Sequence, residues 1–396
     1  MAKRGLDSLE LNGKRVFVRA DLNVPLQAGQ VTDDTRIRAV LPTLRHCLEG
    51  GAAVILASHL GRPKGKPDSK FSLAPVAAKL TELLGRDVAF APDCVGEETR
   101  GMAARLKPGE ILLLENLRFH AEEEANDPAF ARSLAELADC YVNDAFAAAH
   151  RAHASIDTIT RSLRPAVAGL LMEREISSLS KILEKPERPL VTILGGAKVS
   201  DKLALVEHLL ARVDALLIGG GMAFTFLKAL GHEIGRSLVE LDMLETARRV
   251  LAEARKRGVH LRLPVDTVVA AGPEATDGIR MVPVREIPPD LMGLDIGEGT
   301  VARFRESLSE ARTVVWNGPL GVFEKEPFSR GTVEMARAVA EAGAFSVVGG
   351  GDTVAAVQRA GVAGKIGYIS TAGGAFLEFL EGRALPGVAA LDEAPR

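Results

Sequence analysis

The chain has 396 residues, of which 47% are hydrophobic and 26% charged. That is ordinary globular composition and excludes a disordered tail protein, and no apolar window approaches the roughly 18 residues a membrane-crossing helix needs. The net charge of −3, with 22 Lys+Arg against 22 Asp+Glu in positions 1–170, offers no bulk attraction to nucleic acid or an anionic membrane.

The start, MAKRGLDSLELNGKRV, has no apolar signal core, so a cytoplasmic chain is expected. Short apolar runs then recur at Val16–Val18, Ala52–Ala57, Val88–Phe90, Ile111–Leu114 and Tyr141–Val142, and later at Leu190–Leu194, Ala215–Ile218, Val314–Trp316 and Phe345–Val348. Runs apolar at nearly every position fit strands buried on both faces. Amphipathic stretches such as Asp201–Leu210 and Leu244–Lys256 lie between them and read as helices. The alternation is that of an α/β protein with parallel sheets. A charged helical stretch, Arg174–Pro189, separates two strand-rich halves. The expected architecture is two doubly wound, Rossmann-like parallel-sheet domains, 1–170 and 171–374, joined by a hinge and an interdomain helix. The Pro/Gly/Ala-rich end, LEGRALPGVAALDEAPR, reads as a loose tail or a strap that folds back.

Cys47, Cys94 and Cys140 form no CxxC or Cys/His zinc pattern and imply no disulfide framework. They read as small buried thiols in a reducing compartment. Aromatics, at 4%, are too few for a stacking platform on single-stranded nucleic acid.

In open parallel sheets, ligands bind beyond the carboxyl ends of the strands, so the residues that follow each apolar run matter most. In the first half these are Arg19-Ala20-Asp21-Leu22-Asn23, Ser58-His59-Leu60-Gly61-Arg62, Glu115-Asn116-Leu117-Arg118 and Asn143-Asp144, the last followed by His150-Arg151-Ala152-His153. Arg36 follows the first loop. A guanidinium is always charged and grips phosphate or carboxylate with a fork of donors. A single arginine is usually a solvated surface residue. Their recurrence after separate strands points to one anion pocket, with His59 and His150 lining it and no metal triad.

In the second half, glycine follows the strands. The segments are Gly195-Gly196-Ala197-Lys198, then Gly219-Gly220-Gly221, Asn317-Gly318-Pro319 and Gly349-Gly350-Gly351-Asp352-Thr353. Glycine lets backbone N–H groups approach an anion, and a helix N-terminus favours negative charge. Lys198 and Lys202 supply mobile charges, and Asp352 suits a Mg²⁺ that neutralises nucleotide phosphates. No GxxxxGK[ST] loop, GxSxG elbow, HExxH or protein-kinase motif occurs. Gly297–Ala302 formally matches GxGxx[GA] but lacks a convincing strand before it. Two phosphate-type sites, one built of arginines and one of glycines, suggest phosphoryl transfer between them. A dinucleotide dehydrogenase and a non-catalytic nucleotide-binding scaffold are the competing classes.

Nine ordered blocks resemble the phosphoglycerate kinase family. They are RVFVRADLNVP (15–25), SHLGRP (58–63), LLLENLRFHAEEE (112–124), NDAFAAAHRAHAS (143–155), AGLLMEREI (168–176), LGGAKVSDKL (194–203), IGGGMAFTFL (218–227), WNGPLGVFE (316–324) and VGGGDTVAAV (348–357). The resemblance implies reversible phosphoryl transfer from 1,3-bisphosphoglycerate to ADP, giving 3-phosphoglycerate and ATP, in a monomer. It assigns Asp21, Asn23, Arg36, His59, Arg62, Arg118 and Arg151 to the triose-phosphate site on the N-terminal domain. It assigns Lys198, Lys202, Gly219, Gly220, Gly221, Gly293, Asn317, Glu324, Gly349, Gly350, Gly351, Asp352 and Thr353 to the Mg-nucleotide site on the C-terminal domain, with Asp352 on the metal. The tail from about 375 to 396 is expected to return to the N-terminal domain. Two positions depart from the family's pattern. Ala372 stands in STAGGA where the family has STGGGA, and Lys325 stands where an apolar or aromatic residue is common.

An acyl phosphate donor and a phosphate oxygen acceptor need no general base, so positioning and charge stabilisation are the whole task. In-line transfer is expected, with Arg36, Lys198 and the amides of Gly373 and Gly374 on the equatorial oxygens. Ligands on separate domains also require a closure, with Gly169 and Ser370–Gly374 as hinge candidates.

Overall fold

The computed structural model describes residues 3–394. The chain divides into two compact units: the residues up to Ser177 together with those from Ala384 onward, and Ser178–Arg383. The division falls inside the helix Leu170–Glu184, which starts ahead of the charged stretch. The returning tail begins at Ala384 and not near 375, because the helix Gly374–Leu380 packs on the helix Leu203–Leu209 of the second unit. Positions 395 and 396 of the expected strap, like 1 and 2, lie outside the described residues.

The first unit is built on β1 (Arg15–Ala20), β2 (Ala53–Ala57), β3 (Val88–Phe90), β4 (Ile111–Leu113), β5 (Cys140–Asp144) and β6 (Ala166–Ala168). They form one sheet in the order β3-β4-β2-β1-β5-β6, parallel throughout. β2, β4 and β5 are buried at every residue; β2 and β4 are apolar throughout, whereas β5 buries Asn143 and Asp144 at its carboxyl end. Val16, Val18, Val54, Leu56, Ile111 and Leu113 pack with Ile37, Leu41 and Leu44 of the helix Thr35–Glu49. Each such side chain, fully buried, is worth about 1.5–3 kcal/mol. Strand order reverses between β1 and β5, where Ala20 pairs with Asp144 at the carboxyl ends. Beyond that point the tail closes the unit: Gly387 N–H donates to Ala149 O at 2.8 Å, and Asp392 N–H to Ala166 O at 2.9 Å.

The second unit holds β7 (Leu190–Leu194), β8 (Ala215–Ile218), β9 (His260–Arg262), β10 (Asp266–Ala270), β11 (Arg280–Pro283), β12 (Met292–Ile296), β13 (Thr313–Asn317), β14 (Phe345–Gly349) and β15 (Tyr368–Ser370). Six of them form a parallel sheet in the order β9-β8-β7-β13-β14-β15, the dinucleotide-fold order of three strands out and three strands back. The reversal lies between β7 and β13, where Leu194 pairs with Asn317. β10, β11 and β12 make a separate antiparallel sheet in the order β11-β10-β12. β6, β9, β15 and this small sheet are additional to the apolar runs. β6 is buried but only three residues long, and the others are edge or half-covered strands whose partly exposed residues break the run, as in Arg280–Pro283. The helix Leu244–Arg257 ends where Gly258 takes φ 72°, a left-handed cap natural to glycine.

Candidate active site

Both strand-order reversals carry a polar cluster. In the first unit the centre is Arg19, fully buried at the end of β1. A buried guanidinium is tolerable only when its donors are satisfied. Nε donates to Ser155 Oγ at 2.9 Å, Nη1 donates to Ala20 O, and Nη2 stands 3.2 Å from His59 Nδ1. Ser155 in turn donates through Oγ and N–H to the buried Glu123 at 2.6 and 2.9 Å. Arg19 can only donate, so Nδ1 of His59 accepts and its proton resides on Nε2. Burial first, then the charges of Arg19, Arg118 and Arg36, hold His59 well below the usual imidazole range. Burial first, then the charges of Arg118, Arg19 and Arg151, push His153 down to about 3. Both rings are therefore neutral donors or acceptors in a strongly cationic setting.

The expected site residues gather around this centre. Arg36 Nη1 meets Asp21 Oδ2 at 2.6 Å, and Asp21 Oδ1 accepts the Asn23 N–H at 3.1 Å. Asn23 Oδ1 accepts the Gly61 N–H at 2.9 Å, and Arg118 Nη1 donates to Gly61 O at 2.9 Å. Asn116 fixes the Arg118 loop by donating to Leu60 O and Phe71 O and by accepting the Arg118 N–H at 3.0 Å. Arg151 is half-buried and donates to His150 Nε2 at 3.2 Å. Arg62 is not drawn in. It is exposed and makes no hydrogen bond or ion pair with a described residue.

In the second unit, glycines let three loops touch. Side chains on Gly195 or Gly318 would strike the other's loop backbone, and one on Gly220 would strike Gly196 and Pro319. Gly220 and Gly318 have φ of 68° and 92°. Lys202 lies under this cradle, its ammonium donating to Asn317 O at 3.0 Å and also to Asn317 Oδ1. Burial depresses Lys202 to about 8, while Asp201 and Asp352 pull it the other way. Asn317 Nδ2 donates to Gly349 O at 2.7 Å, and Thr353 Oγ1 accepts the Gly318 N–H at 2.7 Å. Gly350, at φ 94°, caps the helix Gly351–Arg359, which places Asp352 in its first turn. Lys198 is exposed and Glu240 is its electrostatic neighbour. Gly373 caps the helix Gly374–Leu380 with φ 54°.

Beside the cradle is a cavity of about 400 Å³, lined by Gly196, Gly220, Gly221, Phe224, Leu238, Gly293, Met292, Pro319, Glu324 and Asp352 among others. Its walls are mostly apolar, as a flat aromatic base requires. Gly219 lies on the adjoining loop, where an added side chain would meet Leu320.

A model of the phosphoglycerate kinase family matches residues 6–383. The chain is 59% identical to the phosphoglycerate kinase of Moorella thermoacetica, over 99% of this chain and all of that one. It belongs to the phosphoglycerate kinase family. It is 55% identical to the Geobacter metallireducens phosphoglycerate kinase over 99% of both chains. Among solved structures, the phosphoglycerate kinase of Coxiella burnetii superposes with a TM-score of 0.91 at 43% identity, covering 98% of each chain. That of Pyrococcus horikoshii OT3 gives 0.85 at 37% identity, over 99% of this chain and 98% of that one. The reaction is the family's phosphoryl transfer from 1,3-bisphosphoglycerate to ADP, a step of glycolysis, and the chain is an ATP-using phosphotransferase.

Against the phosphoglycerate kinase pattern, both departures are accommodated. Ala372 is buried and its φ is not positive, so the methyl imposes no backbone strain. Lys325 pairs with Glu274 at 2.8 Å. Sequence reading placed Arg19 among the strand-end arginines but did not single out Glu123 and Ser155, which lie far along the chain and reach it only through the fold. It also missed Asp295, a buried cavity-lining acid pushed up to about 7 by burial, whose carboxylate accepts the Gly331 N–H at 2.7 Å.

Proposed function

We propose that the arginine–histidine cluster of the first unit binds the triose phosphate, and that the glycine cradle and cavity of the second bind the nucleotide. The observation that carries this division is chemical. The first reversal point concentrates Arg19, Arg36, Arg118 and Arg151 around two neutral histidines. The second pairs an apolar cavity with a backbone-lined, lysine-floored cradle. A small di-anion suits the former, and a base with a phosphate tail suits the latter.

Asp352 is exposed, makes no hydrogen bond or ion pair with a described residue, and is near enough to Lys202 to act on its charge. One free carboxylate beside a phosphate cradle suits Mg²⁺, which takes few protein ligands and completes its shell with phosphate and water. When bound, the ion neutralises charge on the nucleotide phosphates. The chain's own groups do the rest. Gly351 and Thr353 sit at the helix start to meet phosphate, and Asn317 and Glu324 flank the α-phosphate and ribose. Arg36, Lys198 and the Gly373–Gly374 amides receive the equatorial oxygens during in-line transfer. Because each substrate has its own unit, a closure must precede transfer and expel water, with Gly169 and Ser370–Gly374 as hinges. The working form is a cytoplasmic monomer.

Lys198→Ala tests the assignment. The side chain is exposed, so stability should hold within about 0.5 kcal/mol. Turnover should fall ~10²–10³-fold, about 3–4 kcal/mol of lost transition-state stabilisation. Full activity in a coupled assay with ATP and 3-phosphoglycerate would remove Lys198 from the mechanism.

A further inference from the structure

Outside the cluster just described, among the described residues one group of mixed ligand atoms converges. One ligand atom each of Asp93, Cys94 and His120 lie within 4.8 Å of one another. Asp93 and Cys94 follow β3, and His120 ends the loop after β4, so neighbouring parallel strands bring them to one edge of the sheet. Asp93 and Cys94 are adjacent, but His120 lies far along the chain, so no local zinc spacing marks the group. The imidazole and the carboxylate are already in contact. His120 Nε2 stands 2.7 Å from Asp93 Oδ1, and that same oxygen accepts the Cys94 N–H at 2.6 Å. Thr99 Oγ1 donates to Asp93 O at 2.9 Å and pins the Asp93 backbone. The His120 ring is held by stacking on Phe130, centroid to centroid 5.2 Å. Cys94 is fully buried, whereas Asp93 and His120 are partly exposed, so the thiol forms the floor and the other two the rim.

We infer that Asp93, Cys94 and His120 form a binding site for a zinc-type divalent cation, with the fourth position open to solvent. The donor set decides the class of metal. A thiolate and an imidazole favour zinc or cobalt(II) over magnesium or calcium, which prefer oxygen alone. Tetrahedral ligation places oxygen and nitrogen ligands about 3.4 Å apart. The His120–Asp93 pair therefore has to part by less than about 1 Å, which two partly exposed side chains allow. Binding replaces the thiol proton and the hydrogen bond with metal bonds. The site is separate from Asp352 and needs no nucleotide. It clips the loop after β3 to the loop that carries Arg118.

The other thiols make the test clean. Cys47 and Cys140 lie in the apolar core of the same unit, away from any such group. The experiment titrates the full-length chain with Co²⁺ in the absence of nucleotide. One equivalent should produce the intense visible bands of a four-coordinate ion together with sulfur-to-cobalt charge-transfer absorption, and Zn²⁺ should bleach both. Cys94→Ser should lose the charge-transfer absorption. Cys94 is buried, so His120→Gln serves as a second variant on a partly exposed position. It should weaken binding at least tenfold without altering the fold seen by circular dichroism. Cys47→Ala should leave the spectrum as in the parent. Absence of charge-transfer absorption at one equivalent, or its persistence in Cys94→Ser, would overturn the site; so would undiminished affinity in His120→Gln.

Discussion

Lys202 is half-buried, with its ammonium against two oxygens of Asn317, and desolvation brings it down to about 8. This makes it a reporter for phosphate. In the free protein at pH 9 the amine is mostly neutral. A phosphate placed in the cradle favours the charged form and draws a proton back. Mg-ADP binding should therefore take up protons between about pH 8 and 10, approaching one per site, and none below about pH 7, where the amine is charged in both states. Calorimetry in buffers of different ionisation enthalpy measures this directly. The same uptake in Lys202→Met would assign it to another group.

His59 makes a second residue-scale case. Its Nδ1 faces a guanidinium that can only donate, so the neutral, Nε2-protonated ring should persist through the usual imidazole range. Nitrogen NMR of the imidazole shows the tautomer. Arg19→Lys keeps the charge but loses the fork that reaches Ser155 and His59 together. It should raise the KM for 3-phosphoglycerate several-fold with a smaller change in kcat. A His59 that titrates in the ordinary imidazole range in the parent protein would contradict this account.

At the scale of elements, the parallel strands were legible because burial on both faces leaves an unbroken apolar run, as in Ala53–Ala57 and Ile111–Leu113. The ligand-facing residues were legible for a related reason: a polar or glycine segment directly follows each run. The small antiparallel sheet was not legible. Its β10 alternates buried and half-exposed residues, and β11 is nearly all exposed. Yet that sheet helps to wall the cavity through Thr267, Met292 and Gly293. Gly293 has a specific reason to be glycine, since a Cβ there would collide with the Phe224 ring and Thr267 Oγ1. Gly293→Ala should push Phe224 into the cavity and raise the KM for ADP about tenfold, near 1.4 kcal/mol, while leaving that for 3-phosphoglycerate unchanged. Steady-state kinetics with each substrate varied in turn separate the two effects. An unchanged ADP constant would move the base elsewhere.

At the scale of the molecule, the proposed division puts each substrate on a unit of its own. An acyl phosphate and ADP bound on different units react only if their phosphates come into line, and ATP survives only if water is shut out while they do. On the proposed division, a single substrate satisfies only one cluster. Closure should therefore need the pair. The chain has places to bend. Gly169 precedes the helix that crosses the unit division, and it abuts Asp144, whose Oδ1 accepts the Leu171 and Met172 N–H groups at 2.9 and 3.0 Å. The helix start is thereby tied to the first unit, so that Gly169, just ahead of it, and the Ser370–Gly374 segment, where Gly373 takes φ 54°, are the proposed places to bend. X-ray scattering should give a smaller radius of gyration with 3-phosphoglycerate and a non-transferable Mg-ATP analogue together than with either alone. Ala372→Gly, which loosens that segment, should retain the compaction while lowering stability by about 0.5–1 kcal/mol. Profiles that do not change on adding the second substrate would mean that transfer occurs without closure.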